Sequence, residues 1–312
     1  MAVGVAPPAR PGIFGQRPVL SGVAGALCIA FSAVLVRLAD VEPATAAVFR
    51  CAYALPVLYL LAARERRRYG PRAARARRLA MIAGICFAVD LVLWHHAIDA
   101  VGAGLGTVLG NLQVVVVGLA AWLLLGERPG RGLVVAVPTV LLGVVLLSGV
   151  VGEGAYGANP ALGAVFGIGT ALAYGAFLLI LRQGNDDLRR PAGPLADATA
   201  VGAVAAALLG ALTGGVDLVP SWPGHGWLAV LALTSQVIGW LLISVSLPRL
   251  PAAMTSVLLL LQPVGSMVLG VILLGERPSA TQLLGAGVIL AGVVLATTAR
   301  SRRRSAWGGR SL

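Results

Sequence analysis

An aspartate in the middle of an apolar run is the costliest side chain to place in this sequence. Asp90 stands eleven residues beyond Leu79, where the apolar stretch 79–101 begins. At 1.5 Å of rise per residue that is roughly 16 Å, near the middle of a hydrocarbon layer about 30 Å thick. An ionisable group at that depth costs about 2.5–3.5 kcal/mol even on a lenient insertion scale, which makes it a functional candidate by default. Two chemistries suit it. The carboxyl can exchange a proton with substrate or solvent, or it can pair with Arg50, a third of the way along the preceding apolar stretch, and tie two helices together. A coupled carrier could use both. Trp94 follows Asp90 by four residues and faces the same way on a helix. His95 and Asp99 also share a face, whereas His96 points about 100° from His95, poor geometry for two ligands of one metal. The histidines therefore read as hydrogen-bonded polar residues or as part of a proton relay near the outer mouth, and no metal is expected.

Uncharged polar groups accompany these. Asn111, Gln113, Tyr174, Ser235, Gln236, Trp240 and Gln262 all lie inside apolar runs, where each must find a partner because lipid offers none. Gln113 and Gln262 form a pair of special interest. They are 149 residues apart, the offset at which Leu-Leu-Gly-Glu-Arg-Pro at 124–129 returns at 273–278. Gly143-Val144-Val145-Leu146 also returns at that offset, as Gly292-Val293-Val294-Leu295. The chain is an internal duplication. Gln113 and Gln262 should share one depth, near the axis where transporter cavities form. Glu127 and Glu276, each flanked by Gly126 or Gly275 and followed two residues on by proline, read instead as helix-end groups.

The elements that must carry these residues follow from composition. Hydrophobic residues make up 58% of 312 and charged ones 12%, too little polar surface for a soluble globule of this size. Cutting at charge, Gly and Pro clusters gives ten apolar stretches, approximately 19–39, 45–63, 79–101, 104–125, 131–150, 161–181, 195–215, 226–247, 252–274 and 279–299. Five fall in each half. An odd number per repeat makes the second repeat enter the membrane from the opposite side, so the expected fold is all-α with two inverted five-helix repeats, 19–150 and 161–299. Residues 1–18 and the Arg-rich 300–312 are expected as tails.

Charge placement tests that count. All 24 basic residues are arginine, and with the N-terminus inside, 21 of them fall in inner segments. Arginine marks the cytoplasmic side, so both termini are expected there. The net charge of +12 then points to anionic lipid headgroups rather than nucleic acid. Cys28, Cys51 and Cys86 lie inside apolar runs and read as small buried hydrophobes. Gly102, Gly106 and Gly110, and Gly163 and Gly167, recur every four residues, a spacing that lets helices approach closely. Such faces serve internal packing or a homodimer equally well. Pro56, Pro138 and Pro263 permit kinks.

The duplicated five-span unit, the Leu-Leu-Gly-Glu-Arg-Pro end of its fourth helix and Leu261-Gln262-Pro263-Val264 of the ninth resemble the EamA-type members of the drug/metabolite transporter superfamily, over roughly residues 19–299. Arg50 and Ala171-Leu172-Ala173-Tyr174 agree with further family positions. The sequence departs from the pattern at Val114, where the family often has proline, and the set Asp90, His95, His96 matches no family signature. The resemblance implies a ten-helix carrier moving small metabolites by alternating access, often in export. Glu127 and Glu276 match its repeated motif.

Other classes fit less well. The spans carry no paired aspartates or Ser/His arrangement for an embedded enzyme, no charged rings or filter for a channel, and no phosphate-binding loop for ATP hydrolysis. A translocator of lipids or lipid carriers would share the fold. The reading is a non-enzymatic, multi-pass carrier of a bacterial inner membrane, without cofactor, with a midplane cavity for a small amphiphile such as an amino acid and protons as coupling ion.

Overall fold

The computed structural model describes residues 17–125, 130–184, 187–246, 249–250 and 252–307. Within them the chain is helical, with no strand. The helices are α1 (Pro18–Ala39), α2 (Pro43–Tyr69), α3 (Ala74–Val101), α4 (Ala103–Gly110), α5 (Gln113–Leu125), α6 (Arg131–Leu147), α7 (Pro160–Gln183), α8 (Ala192–Thr213), α9 (Gly224–Leu231), a π-helical segment Ala232–Gly239, α10 (Trp240–Ser246), α11 (Ala252–Leu274) and α12 (Ala280–Trp307). Among the described residues, eight spans are long and apolar enough to cross a membrane, with α4 and the start of α5 forming one and α9 through α10 another. Arg131–Leu147 and Leu258–Leu274 are apolar but shorter.

Helix starts follow local chemistry. Pro18, Pro43 and Pro160 occupy first-turn positions, where a missing N–H costs nothing and φ is already set. Asn159 caps α7 by accepting from Leu162 N at 3.1 Å. Ser279 and Gln282 form a reciprocal capping box on α12, with Ser279 N donating to Gln282 Oε1 (3.0 Å) and Gln282 N to Ser279 Oγ (3.2 Å).

Two expected spans are not continuous α-helices. The fourth breaks at Asn111-Leu112, although it carries no proline there, while α11 continues through Pro263. The cause is the Asn111 side chain, whose Nδ2 donates to Thr107 O at 2.9 Å and so takes the carbonyl that an α-helix would give to Asn111 N. The backbone shifts to tighter bonds, Asn111 N to Val108 O and Leu112 N to Leu109 O. Pro56 and Pro138 likewise lie within helices that continue past them. The eighth expected span holds the π segment, in which Trp240 N reaches back five residues to Ser235 O. The last helix runs to Trp307, past the expected boundary at 299.

Packing joins elements distant in sequence: α6 lies against α12, α3 against α7 and α8, α2 against α8, and α11 against α1 and α4. The glycine spacing marks such contacts. A Cβ on Gly163 of α7 would stand 2.8 Å from Val101 Cβ at the end of α3, so only glycine allows that approach. One apolar cluster surrounds Phe87, Phe177 and Trp240, and a second joins Leu105 and Leu109 on α4 to Ile289 on α12.

Candidate functional site

Arg50 on α2 organises the centre. It is 3% exposed; its Nε donates to Gln236 Oε1 at 3.1 Å and its Nη2 to Ser235 Oγ at 3.3 Å. Both acceptors are fully buried on the π segment, whose wider turn brings two consecutive side chains to one guanidinium. Gln236 Nε2 donates onward to Thr199 Oγ1 on α8 at 3.1 Å. The guanidinium also lies over the Trp94 ring, 5.7 Å from its centroid. One nitrogen is left over: Arg50 Nη1 is buried and has no hydrogen-bond partner.

Asp90 stands on α3 within the field of this cation, and the two groups interact electrostatically. They are not bonded to each other. Among the described residues the Asp90 carboxylate has neither a hydrogen bond nor an ion pair within 4 Å, although it is 6% exposed. The direct Asp90–Arg50 pair considered from the sequence is therefore absent; the guanidinium bonds Gln236 and Ser235.

An aromatic wall adjoins the charges. Trp240 meets Phe87, Phe177 and Tyr174 edge-on, with centroids 6.2, 5.5 and 6.1 Å away, and Phe87 stacks on Phe177 at 4.8 Å. Helical spacing explains the grouping, since Phe87, Asp90 and Trp94 share one stripe of α3, and Tyr174 and Phe177 one stripe of α7. Six expected residues, Arg50, Asp90, Trp94, Tyr174, Gln236 and Trp240, thus come together.

The others lie around this centre or away from it. His95 is adjacent through Trp94, at 5.3 Å between rings; its Nδ1 meets Pro43 O at 2.9 Å, and because a carbonyl only accepts, that nitrogen carries the hydrogen. Its Nε2 is then a buried acceptor without a partner. His96 stacks on Phe166, and Asp99 pairs with Arg37 at 3.4 Å in an exposed position, so neither reaches the centre. Asn111 belongs to the break after α4, whose Gly110 lies against Trp94. Gln113 and Gln262 are buried, and their side chains make no hydrogen bond among the described residues.

Glu276 binds at a helix start. Its oxygens accept from Ala103 N (2.5 Å) and Gly104 N (3.1 Å), the first amides of α4, where a carboxylate opposes the positive end of the helix. Gly275 ends α11 at φ +67 and Gly102 precedes α4 at φ +93, both left-handed turns suited to glycine. Gln282 extends the seal, accepting from Tyr156 N (2.8 Å) and donating to Tyr156 O (2.9 Å). Burial and then the Glu276 carboxylate push the Tyr156 phenol up. Gly126 and Glu127 lie outside the described residues, as do residues 1–16 and 308–312 of the expected tails.

Sequence reasoning passed over Thr199 and the Tyr53–His225 contact, in which the Tyr53 hydroxyl and His225 Nδ1 are 2.7 Å apart. The offset of 149 residues places Thr199 opposite Arg50, a signal that was available. Recesses open at the two ends of the bundle. One of about 230 Å³ is lined by Arg37, Asp99, Gly102 and Tyr156. The other, about 280 Å³, lies at the Arg-rich end.

Comparison with known proteins adds the following. The model of the EamA-like transporter family matches twice, over residues 16–149 and 161–298. The uncharacterized transporter YwfM of Bacillus subtilis (strain 168) is 24% identical over 233 residues, 73% of this chain and 76% of that protein. A crystal structure described only as that of a protein superposes with a TM-score of 0.60 at 19% identity, covering 93% of this chain and 99% of the other, a likeness of fold.

Proposed function

The chain belongs to the EamA-like transporter family and is a multi-pass membrane transporter, and on that premise we propose that it carries a small zwitterionic or amphiphilic metabolite, such as an amino acid, by alternating access, with Asp90 as the proton-coupling group. The observation that carries this reading is a buried cation and a buried acid that are not bonded to each other: among the described residues Arg50 Nη1 has no hydrogen-bond partner, and the Asp90 carboxyl has neither a hydrogen bond nor an ion pair. Unpaired charge in a low dielectric is costly, and a ligand bringing both signs satisfies both groups. The aromatic wall of Trp240, Phe87 and Phe177 suits the apolar part of such a ligand. With the cargo absent, a proton on Asp90 serves the same end.

Ten spans in two inverted repeats, both termini in the cytoplasm of a bacterial cell, form the framework of this proposal. Its support is the doubled family match at 16–149 and 161–298, together with the start of α4 at Ala103 and of α11 at Ala252, 149 residues apart. The centre draws Arg50 and Asp90 from the first half and Thr199, Ser235 and Gln236 from the second, so relative motion of the halves opens or closes it. Export is the proposed direction.

The test is transport by the purified protein in proteoliposomes, using labelled amino acids and cationic drugs with and without an imposed pH gradient. Wild type should accumulate one compound against its gradient. Asp90→Asn should abolish that accumulation while inserting normally, and an unchanged rate in the variant would overturn the coupling role.

A further inference from the structure

The recess at the Arg-rich end has a chemistry of its own, remote from the central site. It lies between the C-terminal turn of α2, the loop 70–73, the first turn of α3 and the start of α8, and its volume of about 280 Å³ is close to the lower end for small-molecule sites. Four arginines line it, Arg66, Arg72, Arg77 and Arg190, against two acids, Glu65 and Asp197.

Both acids are already engaged. Glu65 accepts from Ala192 N (2.9 Å) and Gly193 N (2.8 Å), capping α8, and Asp197 is bonded by Arg72 Nη2 with Arg77 Nε at 3.9 Å. Arg190 is a structural clamp: its guanidinium donates to Asp187 Oδ2 and to the carbonyls of Tyr69 (2.8 Å), Gly70 (3.0 Å) and Pro71 (3.3 Å). What remains unspent is cationic. Arg72 Nη1 is buried without a hydrogen-bond partner, and the exposed Arg66 side chain makes no hydrogen bond among the described residues. A recess with two acids already hydrogen-bonded, four guanidiniums and a buried, unmatched N–H is built to receive an anion with several acceptor oxygens.

The wall opposite the arginines names the source of that anion. Tyr59 lines the recess, and Tyr59 and Leu60 are 49% and 54% exposed on the apolar outer flank of α2, where acyl chains run alongside a spanning helix. We propose that this recess binds the phosphate headgroup of an anionic phospholipid, with Arg72 and Arg66 on the phosphate oxygens and Tyr59 against the glycerol and upper acyl chain. Basic recesses between helices at the membrane surface are suited to such headgroups.

The experiment follows thermal unfolding of the full chain in uncharged detergent, titrated with short-chain phosphatidylglycerol, phosphatidylcholine or glycerol phosphate. Phosphatidylglycerol should raise the midpoint saturably and the other two should not. Arg66→Gln and Arg77→Gln should each raise the half-saturating concentration about fivefold, while Arg131→Gln, an arginine outside the recess, should leave it unchanged. Should Arg72→Gln fail to fold for want of its Asp197 contact, Arg66→Gln alone decides. Equal effects of the two lipids, or equal weakening by Arg131→Gln, would overturn the site. A full response to glycerol phosphate would overturn the lipid and leave a soluble phosphate ester as ligand.

Discussion

Gln236 spends both ends of its amide inside the protein, accepting from Arg50 Nε and donating to Thr199 Oγ1, at 3.1 Å in each case. Replacing it with leucine keeps the bulk and strands a buried guanidinium N–H and a buried hydroxyl. Leaving such groups unmade costs about 1–3 kcal/mol each, more where one is charged. Gln236→Leu should therefore lower the unfolding midpoint markedly in a detergent melt, whereas Gln236→Glu, which can still accept from Arg50, should restore most of it; an unshifted midpoint for leucine would mean that this bond does not hold the centre. The charged members of the centre were legible because an Asp or Arg in an apolar run stands out against its neighbours. Thr199 was marked only by its offset of 149 residues from Arg50, and His225 by nothing comparable. A hydroxyl in a span is usually satisfied by its own helix, and only a tertiary contact distinguishes the residues that donate or accept elsewhere.

Glu276 works at the scale of the element. The Leu-Leu-Gly-Glu-Arg-Pro repeat was plain in the sequence, and its glycine was readable as a helix stop. The partner of the glutamate was not, since the amides of Ala103 and Gly104 precede it by more than 170 residues. The same holds for the break after α4: proline was the visible signal for a bend, yet the side chain of Asn111 produces one and Pro263 does not interrupt α11. A side chain that competes for its own helix's carbonyl leaves no mark that composition can read. Glu276→Ala removes the acceptor of two buried N–H groups, and a lost cap of this kind costs about 0.5–2 kcal/mol. Hydrogen exchange at Ala103 and Gly104 should accelerate about two- to thirtyfold in that variant, more than at α12, and unchanged protection would show that the carboxylate does not anchor α4.

For the whole molecule, most span boundaries were legible to within about five residues because apolar length and flanking charge are set by the bilayer itself, whereas the Arg-rich ends at 63 and 299 were not, since the helices run on to Tyr69 and Trp307. Which helices touch was not, since several apolar faces are interchangeable in pattern; the glycine spacings alone marked contacts, as at Gly163 against Val101. The packing puts residues of both family matches around one centre, the arrangement on which the proposed alternating access rests. The most direct measurement is counterflow in proteoliposomes. Vesicles loaded with unlabelled substrate and placed in a trace of labelled substrate, with no ion gradient, should accumulate the label transiently above its equilibrium level, because the site returns loaded from the inner side. Monotonic equilibration of the label at a rate indifferent to the internal load would contradict alternating access and describe a pore.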